Sequence, residues 1–470
     1  MRRTVLLLAL TVALSGPLHA QKATRIGDAA LTTAGHLREQ ALQDDTGWKV
    51  VESLTTEVGP RLAGGDADAR AVAWAVAKFK ALGYDKVWTQ PVSFPKWERR
   101  SESVQVLGGS SQSLLATALG GSPGGTVEGE VVRFADLASL EAAPAGSLTG
   151  KIAYVDHVMT RARDGSGYGA ASRIRSRGPS AAIRAGAAGY VMRSAGTDLH
   201  RNPHTGITRF DEGLTPIPAA ALSLPDAQQL TRLVDIGPVR LRIALDCGWN
   251  GEYTSQNVIG EITGRSKPDE VVVIGGHLDS WDQGTGAIDD ASGVGITMAA
   301  GHLIGRLPKA QRPARTIRVI AFANEEQGLY GGIAYAKSQA GNIHNHQIGA
   351  ESDFGAGRIY AFQSKVPDYA KQALGQIATA LEPLGIEWRS DGEGCGPDVG
   401  PIAALGMTCA GLAQDGTDYF DYHHTPDDTL DKINPQALAQ NVAAYAVFAY
   451  LSADAQGDFG SAPKPEKAGK

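Results

Sequence analysis

The stretch Val271-Val-Val-Ile-Gly-Gly-His277-Leu-Asp279-Ser-Trp-Asp282-Gln-Gly-Thr-Gly-Ala-Ile-Asp289-Asp290-Ala-Ser-Gly293 decides the fold. It opens as an apolar, β-branched run, the pattern of a strand buried on both faces. Glycines end the run, and a histidine and several carboxylates crowd just beyond it. After Asp290 the pattern turns helical, with Val294, Met298 and Leu303 roughly on one face. His277 and Asp289 therefore flank a loop joining a strand to a helix. An open α/β sheet places its ligand site at such carboxyl ends of strands. Imidazole nitrogen with carboxylate oxygen suits zinc.

The same grammar recurs downstream. Residues 316–323 repeat the buried-strand pattern and run into Asn324-Glu325-Glu326. Ile348-Gly-Ala-Glu351-Ser-Asp353 places another acid past a short apolar run, and Tyr422-His423-His424-Thr425 adds a histidine pair. Singly, each has a duller explanation: a lone histidine is usually just hydrogen-bonded, and Glu-Glu after a strand marks a helix start. Jointly, buried strands that repeatedly end on charge require cations. His277, Asp289, Glu326, Asp353 and His424 can hold two metal ions, leaving Glu325 free to act as a base. His302, His344 and His346 read as an ordinary helical histidine and two in a polar loop.

Strands at 271–276, 316–323 and 408–413 alternate with helices near 291–305, 328–338 and 366–382. A last helix, 436–451, turns Leu438, Val442, Tyr445 and Phe448 inward. The alternation predicts an α/β fold: a doubly wound, mostly parallel sheet with helices on both faces. Upstream, helices are expected over 26–43 and 48–59, and Asp66 as the N-cap of a third that ends at Gly83. A strand over 86–94 is expected to be interrupted at Pro91. From about residue 110 the texture turns Gly-, Ala- and Ser-rich, with strand patterns near 127–134 and 151–155 and a small-residue helix, turn and strand over 181–192. Arg161 to Arg177 carries five arginines on a glycine-rich stretch. It reads either as a cover over the site that meets a peptide's negative terminus or as a solvated loop.

With 43% hydrophobic and 20% charged residues in a chain of 470, the composition is that of a globular protein. The absence of a basic run beyond the first residues argues against nucleic acid as a partner. Residues 1–20 read as a signal peptide: Arg2-Arg3, an apolar core over 5–14, and a small residue, Ala20, at the cut. That core is too short to span a bilayer, so no membrane anchor is expected and the protein is exported, periplasmic or secreted. Cleavage removes two arginines and no acid, taking the net charge from −6 to −8. Cys247, Cys395 and Cys409 leave one thiol over in an exported chain; a Cys395–Cys409 disulfide and three buried thiols are both open. Residues 456–470, with Gly, Pro and Lys, are expected to be a disordered tail.

At His277-Leu-Asp279-Ser-Trp-Asp, Gly-Ala-Ile-Asp289-Asp290, Asn-Glu325-Glu326-Gln-Gly-Leu, Glu-Ser-Asp353 and His423-His424-Thr the chain resembles the co-catalytic di-zinc aminopeptidases. Within them it is most similar to the plasma glutamate carboxypeptidase branch and its bacterial relatives. The resemblance covers nearly all of the mature chain. It implies a catalytic domain in two parts, 21–120 and 249–455, around a small β-rich protease-associated insert at 121–248. It implies two zinc ions bridged by Asp289, one also held by His277 and Asp353, the other by Glu326 and His424. Asp279 would accept the other ring N–H of His277, and Glu325 would be the general base. Relatives often carry a tyrosine before the last ligand. Here that place is His423, so His423, Tyr422 and Asp398 are the candidate oxyanion or substrate contacts. The implied activity is hydrolysis of dipeptides or of the N-terminal residue of short peptides. Two rivals are a one-zinc, glutaminyl cyclase-like acyl transfer on the same fold and a non-catalytic receptor that has lost ligands. Small peptides are the expected partners, with a homodimer left open.

Overall fold

In the computed structural model, residues 22–462 are described except 391 and 393. The expected leader, 1–20, lies outside the described residues, as do 463–470.

The 271–276 run becomes the inner part of the strand Lys267–His277. Its alternation divides the core: Val272 and Ile274 pack with Val294, Met298 and Val447, whereas Val271 and Val273 face Tyr335, Ile402 and Met407. Helices accordingly cover both faces, as the pattern predicts. Arg315–Phe322 runs parallel on one side and His346–Glu351 parallel on the other, with Thr408–Cys409 beyond. Arg315–Phe322 then pairs antiparallel with the long strand Arg240–Ile262. Ser292–Gly305 and Pro435–Asp454 are buried on nearly every side. The latter starts with Asn434, whose side chain accepts the Ala437 N–H, and Pro435 at the first helical position.

Residues 125–222 extend the same sheet. Gly125–Phe134 pairs with Arg240–Ile262, and Ile152–Val155, Gly189–Arg193 and Ala219–Leu222 follow in parallel, with the helices Tyr168–Arg184 and Leu224–Ile236 between them in sequence. Residue 248 falls inside the strand Arg240–Ile262.

Several local expectations are corrected. Gly65, not Asp66, is the N-cap, and Asp66 opens the helix Asp66–Ala81. Lys86–Leu107 runs unbroken through Pro91, paired to Arg240–Ile262. Among the described residues its only other strand pairing is at 104–106, so around Pro91 it is an edge strand, where proline is tolerated. The 408–413 run splits at Ala410, and Gly411–Gln414 joins a separate three-stranded sheet. His346 begins a strand, is fully buried and pairs with the Tyr335 hydroxyl at 2.9 Å, so it is not in a polar loop. Residues 168–177 are helical. The tail expected to be disordered from 456 packs instead as far as 462: Gln456 bridges to Arg25, and Phe459 is fully buried.

Cys395 and Cys409 form a disulfide with Cα atoms 5.0 Å apart, and Cys247 is a buried free thiol. The crosslink holds the 395–399 loop against the strand that leads to Asp353: Glu351 N–H donates to the Cys395 carbonyl, and its carboxylate accepts from Asp398 and Val399. A loop of about 15 residues closed by a disulfide is worth about 3 kcal/mol. Cys395→Ala with Cys409→Ala should lower unfolding stability by about that amount. An unchanged denaturant midpoint would refute the role.

Candidate metal centre

The register of the parallel strands brings the ligands together. Phe322 lies opposite His277, and Glu351 opposite Gly275. The chain leaves all three strands at one edge of the sheet, so His277, the 324–326 turn and Asp353 emerge side by side. Asp289 arrives from the strand-to-helix loop and His424 from the turn after the short helix Tyr419–Tyr422. Asn324 and His424 adopt left-handed backbone, with φ of 52° and 58°. L side chains rarely adopt that conformation, and it concentrates where the surroundings impose a geometry for function.

Asp289 sits between two groups. Its Oδ1 is 2.8 Å from His277 Nε2, which is also 3.4 Å from Asp353 Oδ1. Its Oδ2 is 3.1 Å from His424 Nε2, which lies 2.9 Å from Glu326 Oε2. All five residues expected as ligands therefore converge, four of them buried and Asp353 opening to the cavity. Among the described residues, two buried carboxylate oxygens, Asp289 Oδ2 and Glu326 Oε1, find no hydrogen-bond donor in good geometry. Burial would lower the pKa of His277, but Asp353, Asp279 and Asp289 outweigh it and raise it. Burial and the Asp289 charge push Glu326 up to about 7 against the pull of His424. Cations are what this acid-rich, buried cluster calls for, and nitrogen with oxygen donors fits zinc.

A frame fixes the loop. Arg61, fully buried, donates to the carbonyls of Leu278, Thr285 and Gly286 at 2.6, 2.7 and 2.9 Å. Asp428 accepts the N–H groups of Ile288 and Asp289 at 2.6 and 3.1 Å, orienting Asp289. Asp290 accepts from the backbone N–H groups of His277 and Gly293, with a carboxylate oxygen within 4.8 Å of a ring nitrogen of His277 and a carboxylate oxygen of Asp353.

Glu325 lines the same cavity, of about 360 Å³, with Asp289, Glu326, Asp353 and His424. Its own N–H is held by Asp279 Oδ1 at 3.0 Å. Burial, with Asp353, Glu326 and Asp398 nearby, raises its pKa well above the usual carboxylate range. Asp279 does not serve His277 as expected: the ring Nδ1 meets the Asp279 backbone carbonyl at 3.0 Å, while the carboxylate stands 3.6 Å off. The carboxylate orients Glu325 instead.

The candidate substrate contacts separate. His423 is in the cavity, its Nε2 3.2 Å from Asp289 Oδ2. Its Nδ1 pairs with His204 Nε2 at 2.8 Å, a partner 219 positions away that no local pattern marks. Tyr422 points elsewhere, lining a larger cavity of about 580 Å³ that none of the five ligands touches. Tyr419, one helical turn earlier, lines both cavities, as does Phe354. Asp398 is buried behind the site, accepting the Gly332 N–H at 2.9 Å, and burial pushes its pKa up to about 8. Of the arginine-rich stretch, Arg161 pairs with Asp418 and Asp421 and Arg163 with Asp415, and neither lines the cavity of the ligand cluster. Arg173 and Arg177 are exposed, and Arg175 alone of the five reaches the cavity.

The sequence profile of peptidase family M28 matches residues 257–449. The chain is 48% identical to a peptidase M28 precursor of Shewanella amazonensis SB2B, whose structure superposes with a TM-score of 0.88 over 94% of this chain and 100% of that one. A zinc aminopeptidase of Bacillus subtilis shares the fold, with a TM-score of 0.61 at 19% identity over 86% of this chain and 94% of that one. Carboxypeptidase Q of Homo sapiens is 32% identical over 406 residues, which span 85% of this chain and 84% of that protein. That extent of likeness, over a buried cluster of histidines and carboxylates at the sheet's carboxyl edge, identifies the chain as a metallopeptidase belonging to peptidase family M28.

Proposed function

We propose that the chain is an exported, zinc-dependent exopeptidase that hydrolyses dipeptides or removes the N-terminal residue of short peptides. The observation that carries this is Asp289, with one oxygen toward His277 and Asp353 and the other toward His424 and Glu326. Such a carboxylate suits a pair of ions sharing one bridge. Zinc bound by these five residues supplies Lewis acidity, polarising a substrate carbonyl and lowering the pKa of water toward 7. The protein's own groups do the rest. Glu325 takes the proton of the attacking water and returns it to the departing amine. His423 offers a ring nitrogen in the same space, oriented by His204. Phe354, Tyr419 and Phe420 wall the cavity and offer apolar surface to a substrate side chain. The Cys395–Cys409 disulfide fits an oxidising compartment, and among the described residues no helix is long and apolar enough to cross a membrane.

A panel of dipeptides and aminoacyl-anilides, assayed with metal analysis, tests the reading. Hydrolysis that a chelator abolishes and zinc restores is expected. Cyclisation of N-terminal glutamine without peptide hydrolysis would favour the one-zinc rival.

A further inference from the structure

Two consecutive histidines line the cavity, and one short stretch holds both. The rings of His423 and His424 stack with centroids 3.5 Å apart. The stretch is His204-Thr205, in the loop between Gly189–Arg193 and Ala219–Leu222. It is buried and tied down. The His204 N–H donates to Ser194 Oγ at 2.8 Å, Thr205 Oγ1 to the Ala118 carbonyl at 3.0 Å, and the Thr205 N–H to the His424 carbonyl at 3.0 Å. From this anchored stretch the Thr205 carbonyl lies 3.2 Å from His424 Nδ1, and His204 Nε2 lies 2.8 Å from His423 Nδ1.

These two contacts set opposite tautomers, because the proton on one ring nitrogen is governed by the bond the other makes. A carbonyl only accepts, so His424 carries a proton on Nδ1 and its Nε2 is bare, as a metal ligand requires. Between His204 and His423 one nitrogen donates and the other accepts. Among the described residues, His204 Nδ1 is buried without a hydrogen-bond partner. A proton there would be an orphaned buried donor, which is costly. At the far end, His423 Nε2 lies 3.2 Å from Asp289 Oδ2, where an N–H is favoured over a lone pair. Both ends therefore place one proton on His204 Nε2, given to His423 Nδ1, and another on His423 Nε2. Asp289 Oδ2 closes no hydrogen bond in good geometry, so the His423 N–H stays open to a third atom. We propose that His204 is a positioning residue that keeps the proton of His423 on Nε2, making His423 a donor to the carbonyl oxygen of the scissile bond and not a further metal ligand. A donor fixed in advance acts most where negative charge gathers on that oxygen. The inference rests on the exopeptidase reading above.

Nitrogen NMR of the histidine-labelled, zinc-loaded wild type reads the tautomers, with His204→Gln and His423→Gln assigning the signals. His423 and His204 should each be protonated on Nε2 and bare on Nδ1. A bare Nε2 on His423, or a proton on His204 Nδ1, would overturn the inference, and this reading decides even where a kinetic variant fails to fold. Kinetics on alanyl-alanine supply the second arm. His204→Leu, which removes the donor and keeps bulk, should lower kcat roughly ten- to a hundredfold, leave KM within about twofold and keep its full zinc content. His204→Gln, whose amide N–H can stand in for the ring N–H, should recover most of that loss. Wild-type kcat in His204→Leu, equal losses in both variants, or a loss cured merely by reloading zinc would overturn the role and leave the exopeptidase reading intact. A wild type that hydrolyses neither alanyl-alanine nor an alanyl-anilide would overturn both.

Discussion

Glu325→Gln should keep the fold and the full metal content and lose roughly 10²- to 10⁴-fold in turnover, the range for a general acid–base group. Glutamine preserves the volume, and Asp279 still holds the backbone N–H at position 325. What disappears is the ability to accept a proton. Metal content should be unaffected, because Asp289 closes on His277 and His424 and not on Glu325. Steady-state kinetics with parallel metal analysis checks both halves. Near-normal turnover in the variant would remove Glu325 from the chemistry.

Asp289→Asn should weaken both metal positions together, by more than the roughly 10- to 100-fold typical of a supporting partner. The substitution removes the charge that both histidines face and one of the two oxygens that reach them. His424→Ala differs: it strips one side, next to Glu326, and leaves His277, Asp289 and Asp353 in place. Zinc calorimetry on each metal-free variant distinguishes them. Two independent, undiminished binding events in Asp289→Asn would show that this aspartate joins nothing.

The catalytic frame was legible because strand ends announce themselves. An apolar run that passes straight into histidine or an acid needs no distant information: His277, Glu326 and Asp353 follow that rule, and Asp289 sits in the loop after the first such run. Partners that meet across the chain carry no local mark. His204 meets His423 from 219 positions away, and Arg61 clamps a loop 224 and 225 residues distant. Tyr422 was misplaced for a related reason: across one short helical turn Tyr419 reaches the cavity of the ligand cluster while Tyr422 lines the other cavity, and sequence adjacency to His423 says nothing of that. Composition misled over 168–177, where glycine and arginine suggested a loop but the chain is helical. It misled again at the tail, where one apolar residue, Phe459, docks the segment.

The central claim is a paired metal centre that drives peptide hydrolysis. Its most direct test is zinc titrated into the metal-free wild-type chain, with bound metal counted and alanyl-alanine hydrolysis followed at each step. The arrangement around Asp289 predicts two equivalents bound per chain, activity that rises with them, and loss of both in chelator. A chain that binds a single equivalent, or that hydrolyses the dipeptide equally well without metal, would contradict it.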